Sequence, residues 1–113
     1  MWHSFYQNVR HDFSKVDIRV GTVIEAENVP KSNKLLKLKI NTGIDERTIL
    51  SGIAKFYSTE EILNKKVMVL INLKPRKMMG FESEGMLLLA EDSDGNLSLM
   101  QPDSEIGDGS VVA

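Results

Sequence analysis

The densest chemistry in the chain is a run of three cations within four positions, Lys74, Arg76 and Lys77. They sit in Asn72-Leu73-Lys74-Pro75-Arg76-Lys77-Met78-Met79-Gly80, a segment bounded by proline and glycine that follows an apolar run. Like charges this close repel one another, and an anion held among them relieves the repulsion. A solubilising loop is the plainer alternative. Lys34, Lys37 and Lys39, in and just before a strongly alternating stretch, supply further positive charge for the same anion. Catalytic patterns are missing. There is no G-x-S-x-G, no H-E-x-x-H and no Walker sequence, and Gly80-Phe81-Glu82-Ser83-Glu84-Gly85 has P-loop glycine spacing without the Lys and Ser/Thr that hold phosphate and Mg²⁺. The acid pairs Asp45-Glu46 and Glu60-Glu61 fall in a predicted turn and a predicted helix start, where turn chemistry and the helix dipole account for them. With no cysteine, and only His3 and His11 as imidazoles, disulfides, thiolate metal sites and a cysteine nucleophile are excluded. A non-enzyme with neither cofactor nor metal is expected.

Charge is polarised along the chain. All 14 Lys and Arg lie between Arg10 and Lys77, where only 8 acids accompany them, a balance of +6; residues 78–113 hold 8 acids and no base, and the whole carries −2. Such asymmetry fits a basic surface for an anionic partner, and it fits equally two halves that complement each other within one fold or across a dimer. At 113 residues with 42% hydrophobic and 27% charged residues, the composition is that of one ordinary globular domain. The leader MWHSFYQNVRHDF lacks the apolar core of a signal peptide, and no stretch approaches the roughly 18 apolar residues that span a bilayer, so a cytoplasmic protein without membrane contact is expected.

The elements that must position these cations follow from periodicity. Ile18, Val20, Thr22, Ile24 and Ala26 alternate with more polar neighbours, predicting a long first strand that ends near Pro30 with a bend or bulge at Gly21. Leu36-Lys37-Leu38-Lys39-Ile40 predicts a half-buried second strand with its lysines outward, before an Asn41-Thr42-Gly43 turn. Thr48 to Ser51 is a short third strand, and Ser58-Thr59-Glu60-Glu61 has the capping-box pattern of a brief helix through Leu63. Val67 to Ile71 and Gly85 to Glu91 are apolar runs suited to strands buried on both sides, and Asp94-Gly95 predicts a hairpin turn leading to Leu97, Leu99 and Met100. The order β-β-β-α-β is that of a mainly β, five-stranded OB-fold Greek-key barrel with one short helix, and other small barrels also fit it. Residues 1–14 and 92–113 extend a barrel over 15–91, and the aromatic leader (Trp2, Phe5, Tyr6, Phe13) needs a surface to cover, a subunit interface being one candidate. None of the seven aromatics falls in a predicted strand, Phe56, Tyr57 and Phe81 being placed in loops. Single-strand binders stack bases on aromatics, so folded RNA held through phosphates and 2′-hydroxyls fits better.

Asp17-Ile18-Arg19-Val20-Gly21, Lys34-Leu35-Leu36-Lys37-Leu38, Ser51-Gly52-Ile53, Asn72-Leu73-Lys74-Pro75-Arg76-Lys77 and Ser83-Glu84-Gly85-Met86 occur in this order. Together they resemble the tRNA-binding domain family, over residues 12–113. That family includes C-terminal domains of methionyl-tRNA synthetases, free-standing structure-specific tRNA-binding proteins and CsaA-type export chaperones. The resemblance implies an OB barrel extended at both ends, paired as a homodimer, that binds tRNA by shape. It places RNA contacts at Lys34, Ser83 and Met86, with Asn72, Lys74 and Arg76 in the same motif; Lys77, Lys37 and Lys39 complete the expected face. Lys34 would meet phosphate, the Ser83 hydroxyl a phosphate oxygen or 2′-hydroxyl, and Met86 a ribose or base; a core role for Met86, a turn hydrogen bond for Ser83 and a structural ion pair for Arg19 are the plainer readings. Where many members carry an acid before this lysine, Asn33 stands, so what orders that loop is open. The expected function is a non-catalytic module that raises local tRNA concentration for a methionyl-tRNA synthetase, in cis or in trans. The alternative is a CsaA-like chaperone that binds exposed peptide.

Overall fold

The computed structural model describes residues 12–113, so the expectations for Trp2, His3, Phe5, Tyr6 and His11 lie outside the described residues. Its spine is β1 (Ile18–Asn28), which pairs antiparallel with β2 (Leu36–Asn41) through one half and with β4 (Lys66–Leu70) through the other. β2 pairs with β3 (Glu46–Ser51), and β4 pairs with β7 (Met86–Leu87), giving the order β3-β2-β1-β4-β7. The two ends of this sheet meet where Glu84 donates its backbone N–H to the Thr48 carbonyl at 2.8 Å and accepts the Thr48 N–H on its carboxylate at 3.0 Å. This is the expected OB-type barrel.

The register explains how β1 serves both halves. Thr22 to Val23 and Glu25 to Asn28 pair in different registers with β2, so the bulge falls at Ile24, three residues beyond the expected Gly21. Gly21 instead permits close strand contact, because a Cβ there would lie 2.7 Å from Ile40 Cγ2 and 2.8 Å from the Asn41 carbonyl oxygen, so only glycine lets the two strands approach. The bulge also divides the face that simple alternation made continuous. Val23 and Ala26 join the central cluster, whereas Ile18 and Val20 pair with Leu70 and Met68 and face away from Val67 and Val69. Val67 to Leu70 is thus covered on both faces, as a continuous apolar run predicts, with Met68 half-buried.

Leu36, Leu38 and Ile40 from β2, Ile49 from β3, Ile53, Ile62, Val67, Val69 and Leu87 fill the barrel. Helix α1 (Thr59–Ile62) plugs one end through fully buried Ile62, and its capping box is complete: Ser58 Oγ accepts the Glu61 N–H at 3.0 Å, and the Glu61 carboxylate accepts the Ser58 N–H at 3.0 Å. Those bonds to the charged form hold the Glu61 carboxyl below its ordinary value.

Two further expectations need correction. The run Gly85 to Glu91 is two strands in two sheets: β7 stays on the barrel, the chain turns at Leu88, and β8 (Leu89–Glu91) pairs with β9 (Leu97–Leu99). Asp92 organises the connecting loop, its carboxylate accepting from the Asp94 and Asn96 backbone and the Asn96 amide, which lowers its pKa. The segment read as a basic loop also contains β5 (Arg76–Met78), which pairs with β6 (Phe81–Ser83). Met79 and Gly80, with φ of 50° and 83°, form the two-residue connection, the positive-φ pair of a type I′ hairpin turn. Finally β10 (Val111–Val112) returns to pair with Ile18 and Arg19 of β1.

Candidate nucleic-acid interface

The register of β2 and β3 puts Lys37, Lys39, Thr48 and Leu50 on the outer face of the barrel. Two connections flank that face. The first, residues 29–35, carries Lys31 and Lys34, both exposed. Ser32 Oγ accepts the Lys34 and Leu35 N–H groups at 3.3 and 3.2 Å, and the Lys34 carbonyl accepts the Ala54 N–H at 2.9 Å. Loop order therefore comes from Ser32, beside Asn33, and no acid is needed.

The second connection is the β5–β6 hairpin, which folds over Leu50. Arg76 pairs with Ser83 and Met78 with Phe81 on one face of the hairpin, while Lys77 opposite Glu82 occupies the other. The first face is turned to the barrel: Ser83 Oγ accepts the Leu50 N–H at 3.0 Å, and Lys37 Nζ stands 4.5 Å from the centre of the Phe81 ring. Leu50 is thereby only 4% exposed although it points away from the core. Arg47 fixes both stems of this connection. Its Nη1 donates to the carbonyls of Ile71 and, at 3.1 Å, Glu84, while its Nε meets the Asp45 carboxylate at 3.1 Å. Hydrogen bonds from Arg47 and Thr42 hold the Asp45 carboxyl below its ordinary value.

These contacts sort the expected contact residues. Lys34, Lys74, Arg76 and Lys77 are exposed and have no ion pair among the described residues. Met86 is 49% exposed, against a core role, and lines a cleft of about 280 Å³ with Leu50, Leu73, Lys74, Arg76 and Met78. Lys37 and Lys39 are part of the face but are neutralised there by Glu27 at 3.1 Å and Glu25 at 3.7 Å across β1. Ser83 is 3% exposed, and its proton goes to the Gly85 carbonyl at 3.0 Å, so no donor is left for a phosphate oxygen; the plainer turn reading holds. Asn72 is likewise committed, accepting the Asp17 N–H at 2.9 Å and donating to the Lys15 carbonyl at 2.6 Å. Both residues hold the hairpin in place. Arg19 is structural, paired with Asp17 at 2.7 Å on its own segment and donating to the Gly109 carbonyl; the Asp17 bond raises its pKa.

Three residues went unread in the sequence. Lys31 lacked any patterned neighbour, Arg47 acts through carbonyls 24 and 37 residues away, and Phe81 was assigned to a loop although it lies in β6. Among the described residues, no group of three His, Cys, Asp or Glu could hold a metal ion, and no helix is long and apolar enough to cross a membrane.

Comparison with known proteins finds relatives of this barrel. The family described as "Putative tRNA binding domain" matches residues 18–111. The methionine-tRNA ligase of Flavobacterium johnsoniae is 54% identical over 101 residues, which cover 89% of this chain and 14% of that enzyme. The chain thus spans about one seventh of the length of such relatives. A methionyl-tRNA-synthetase-related protein from Pyrococcus horikoshii superposes with a TM-score of 0.87 at 42% identity, covering 91% of this chain and 94% of that one. The chaperone CsaA of Bacillus anthracis superposes with a TM-score of 0.83 at 29% identity, covering 91% and 95%.

Proposed function

The chain belongs to the tRNA-binding domain family, and from that premise we propose that it is a non-catalytic module that grips tRNA by shape and delivers it to a methionyl-tRNA synthetase. The observation that carries this reading is the set of cations that have no ion pair among the described residues, Lys34 on one side of the β2–β3 face and Lys74 and Arg76 on the other. Cations without internal partners are free to neutralise phosphates, and two loops flanking strands 2 and 3 are where OB barrels take oligonucleotides. Met86 supplies an apolar contact in the cleft beside Arg76, and Lys77, on the far side of the hairpin, adds longer-range attraction.

Joined to a synthetase in cis or in trans, such a module turns tRNA capture into a nearly intramolecular event, with effective concentrations of order millimolar for a short linker. The site of action is the cytoplasm, and the working form is a homodimer.

Titration of bulk tRNA at several salt concentrations tests the reading, with an unfolded peptide in parallel. Saturable binding whose logarithm falls with the logarithm of salt at a slope of about −3 is expected for three or four phosphate contacts. Absent tRNA binding together with saturable peptide binding would overturn it in favour of a chaperone like CsaA.

A further inference from the structure

We infer that Phe81 is a stacking surface for one unpaired base of the bound RNA, and that Lys37 is the group this base displaces. The inference rests on the tRNA-binding reading and adds to it a means of telling an unpaired nucleotide from a helical one.

Phe81 lies in β6 on the barrel-facing side of the hairpin, cross-strand from Met78 and next to the Met79-Gly80 turn. It is half-buried and is not among the side chains packed on the core. The ring is instead directed over β2, where Lys37 Nζ stands 4.5 Å from its centre. Among the described aromatics it is the one that contacts a cation of the candidate face; Tyr57 packs on the core with its hydroxyl accepting the Leu99 N–H, Phe13 lies in the helical segment at 12–14, and Phe56 lies in a turn. A cation over a ring face is a weak, exchangeable occupant at a partly exposed site. Lys37 also has Glu27 at 3.1 Å, so leaving the ring does not strand its charge, and the incoming nucleotide brings a phosphate for it. Any base has a π-face, so the surface tolerates sequence, but a base inside a continuous duplex cannot reach it.

The test measures affinity of the full chain and of Phe81→Leu and Phe81→Trp for three RNAs: bulk tRNA, a stem-loop, and the same stem with abasic riboses in the loop. Phe81→Leu is expected to weaken binding of tRNA and the intact stem-loop about tenfold at fixed salt, with an unchanged salt slope, while Phe81→Trp retains affinity. Removing the loop bases is expected to cost the unsubstituted chain the same factor and Phe81→Leu nothing. Equal sensitivity of both chains to base removal, or unaltered tRNA affinity in Phe81→Leu, would overturn the inference while leaving the tRNA reading intact. Failure of the unsubstituted chain to bind tRNA would overturn both.

Discussion

A cation's value to a polyanion depends on what else it already holds. Lys37 and Lys39 look identical to Lys34 in composition, yet β1 brings Glu27 and Glu25 beside them through a register that begins ten or more residues earlier. Lys34→Ala and Arg76→Ala are therefore expected to weaken tRNA binding and to lower the salt slope by about one each, with unchanged thermal unfolding. Lys39→Ala is expected to have a smaller effect on both, because its charge is already offset. Ser83→Ala separates structural from contact roles in the opposite sense. It strips the buried Leu50 N–H of its acceptor, so a loss of about 1–3 kcal/mol in denaturant unfolding is expected, with retained affinity once the protein is folded. The sequence singled out residues 72–86 as candidate contacts. It did not show which polar side chains there are spent on the backbone, because a hydroxyl or amide suits an RNA and an orphaned N–H equally well. The deciding partners, Leu50 for Ser83 and Asp17 for Asn72, are 33 and 55 residues distant.

The strands were legible where their pattern was local: β1, β2 and β4 by alternation or apolar run, and α1 by its capping box. The β5–β6 hairpin was not, since its turn is Met79-Gly80 in place of Asn-Gly or Asp-Gly, and Met79 sits at φ 50°, where a side chain costs about 1–2 kcal/mol. Nor does the uninterrupted Met86 to Leu89 mark the corner at Leu88, which is set by β7 pairing with β4 and β8 with β9. The hairpin yields a prediction in which strain and crowding are separable. A Cβ on Gly80 meets nothing within 4 Å, but φ is 83°; a Cβ on Gly52 also meets nothing, and its φ is not positive. Gly80→Ala is expected to destabilise by about 1 kcal/mol through backbone conformation alone and to weaken RNA binding by misplacing Arg76. Gly52→Ala is expected to be neutral or slightly stabilising, and paired denaturant titrations with tRNA affinities check both.

At the scale of the whole molecule, the acidic C-terminal third is tied to the basic remainder at specific points. Asp108 accepts from Thr22 Oγ1 at 2.7 Å and Lys66 Nζ at 2.8 Å, while Gly109 N–H donates to the Val20 carbonyl and β10 pairs with the start of β1. Burial alone would push the Asp108 carboxyl up; the bonds from Lys66 and Thr22, with the lysine charge, outweigh it and hold the pKa below its ordinary value of 3.8. Part of the charge asymmetry thus serves cohesion within the fold, while Lys34, Lys74 and Arg76 have no ion pair among the described residues. A carboxyl whose pKa is lower folded than unfolded adds stability that is complete above the unfolded pKa and lost as pH falls through the folded one. Asp45, Asp92 and Asp108 share that sign, so the melting midpoint is expected to stay level from pH 7 to about 5 and to fall steeply below about 4. In Asp108→Asn the neutral-pH midpoint should drop by a few degrees and the acid fall should become shallower, because one carboxylate no longer has to be protonated. A variant that kept the full acid dependence would show that Asp108 does not clasp the tail to the barrel. Melting curves at pH 3, 4, 5 and 7 for the two proteins decide it.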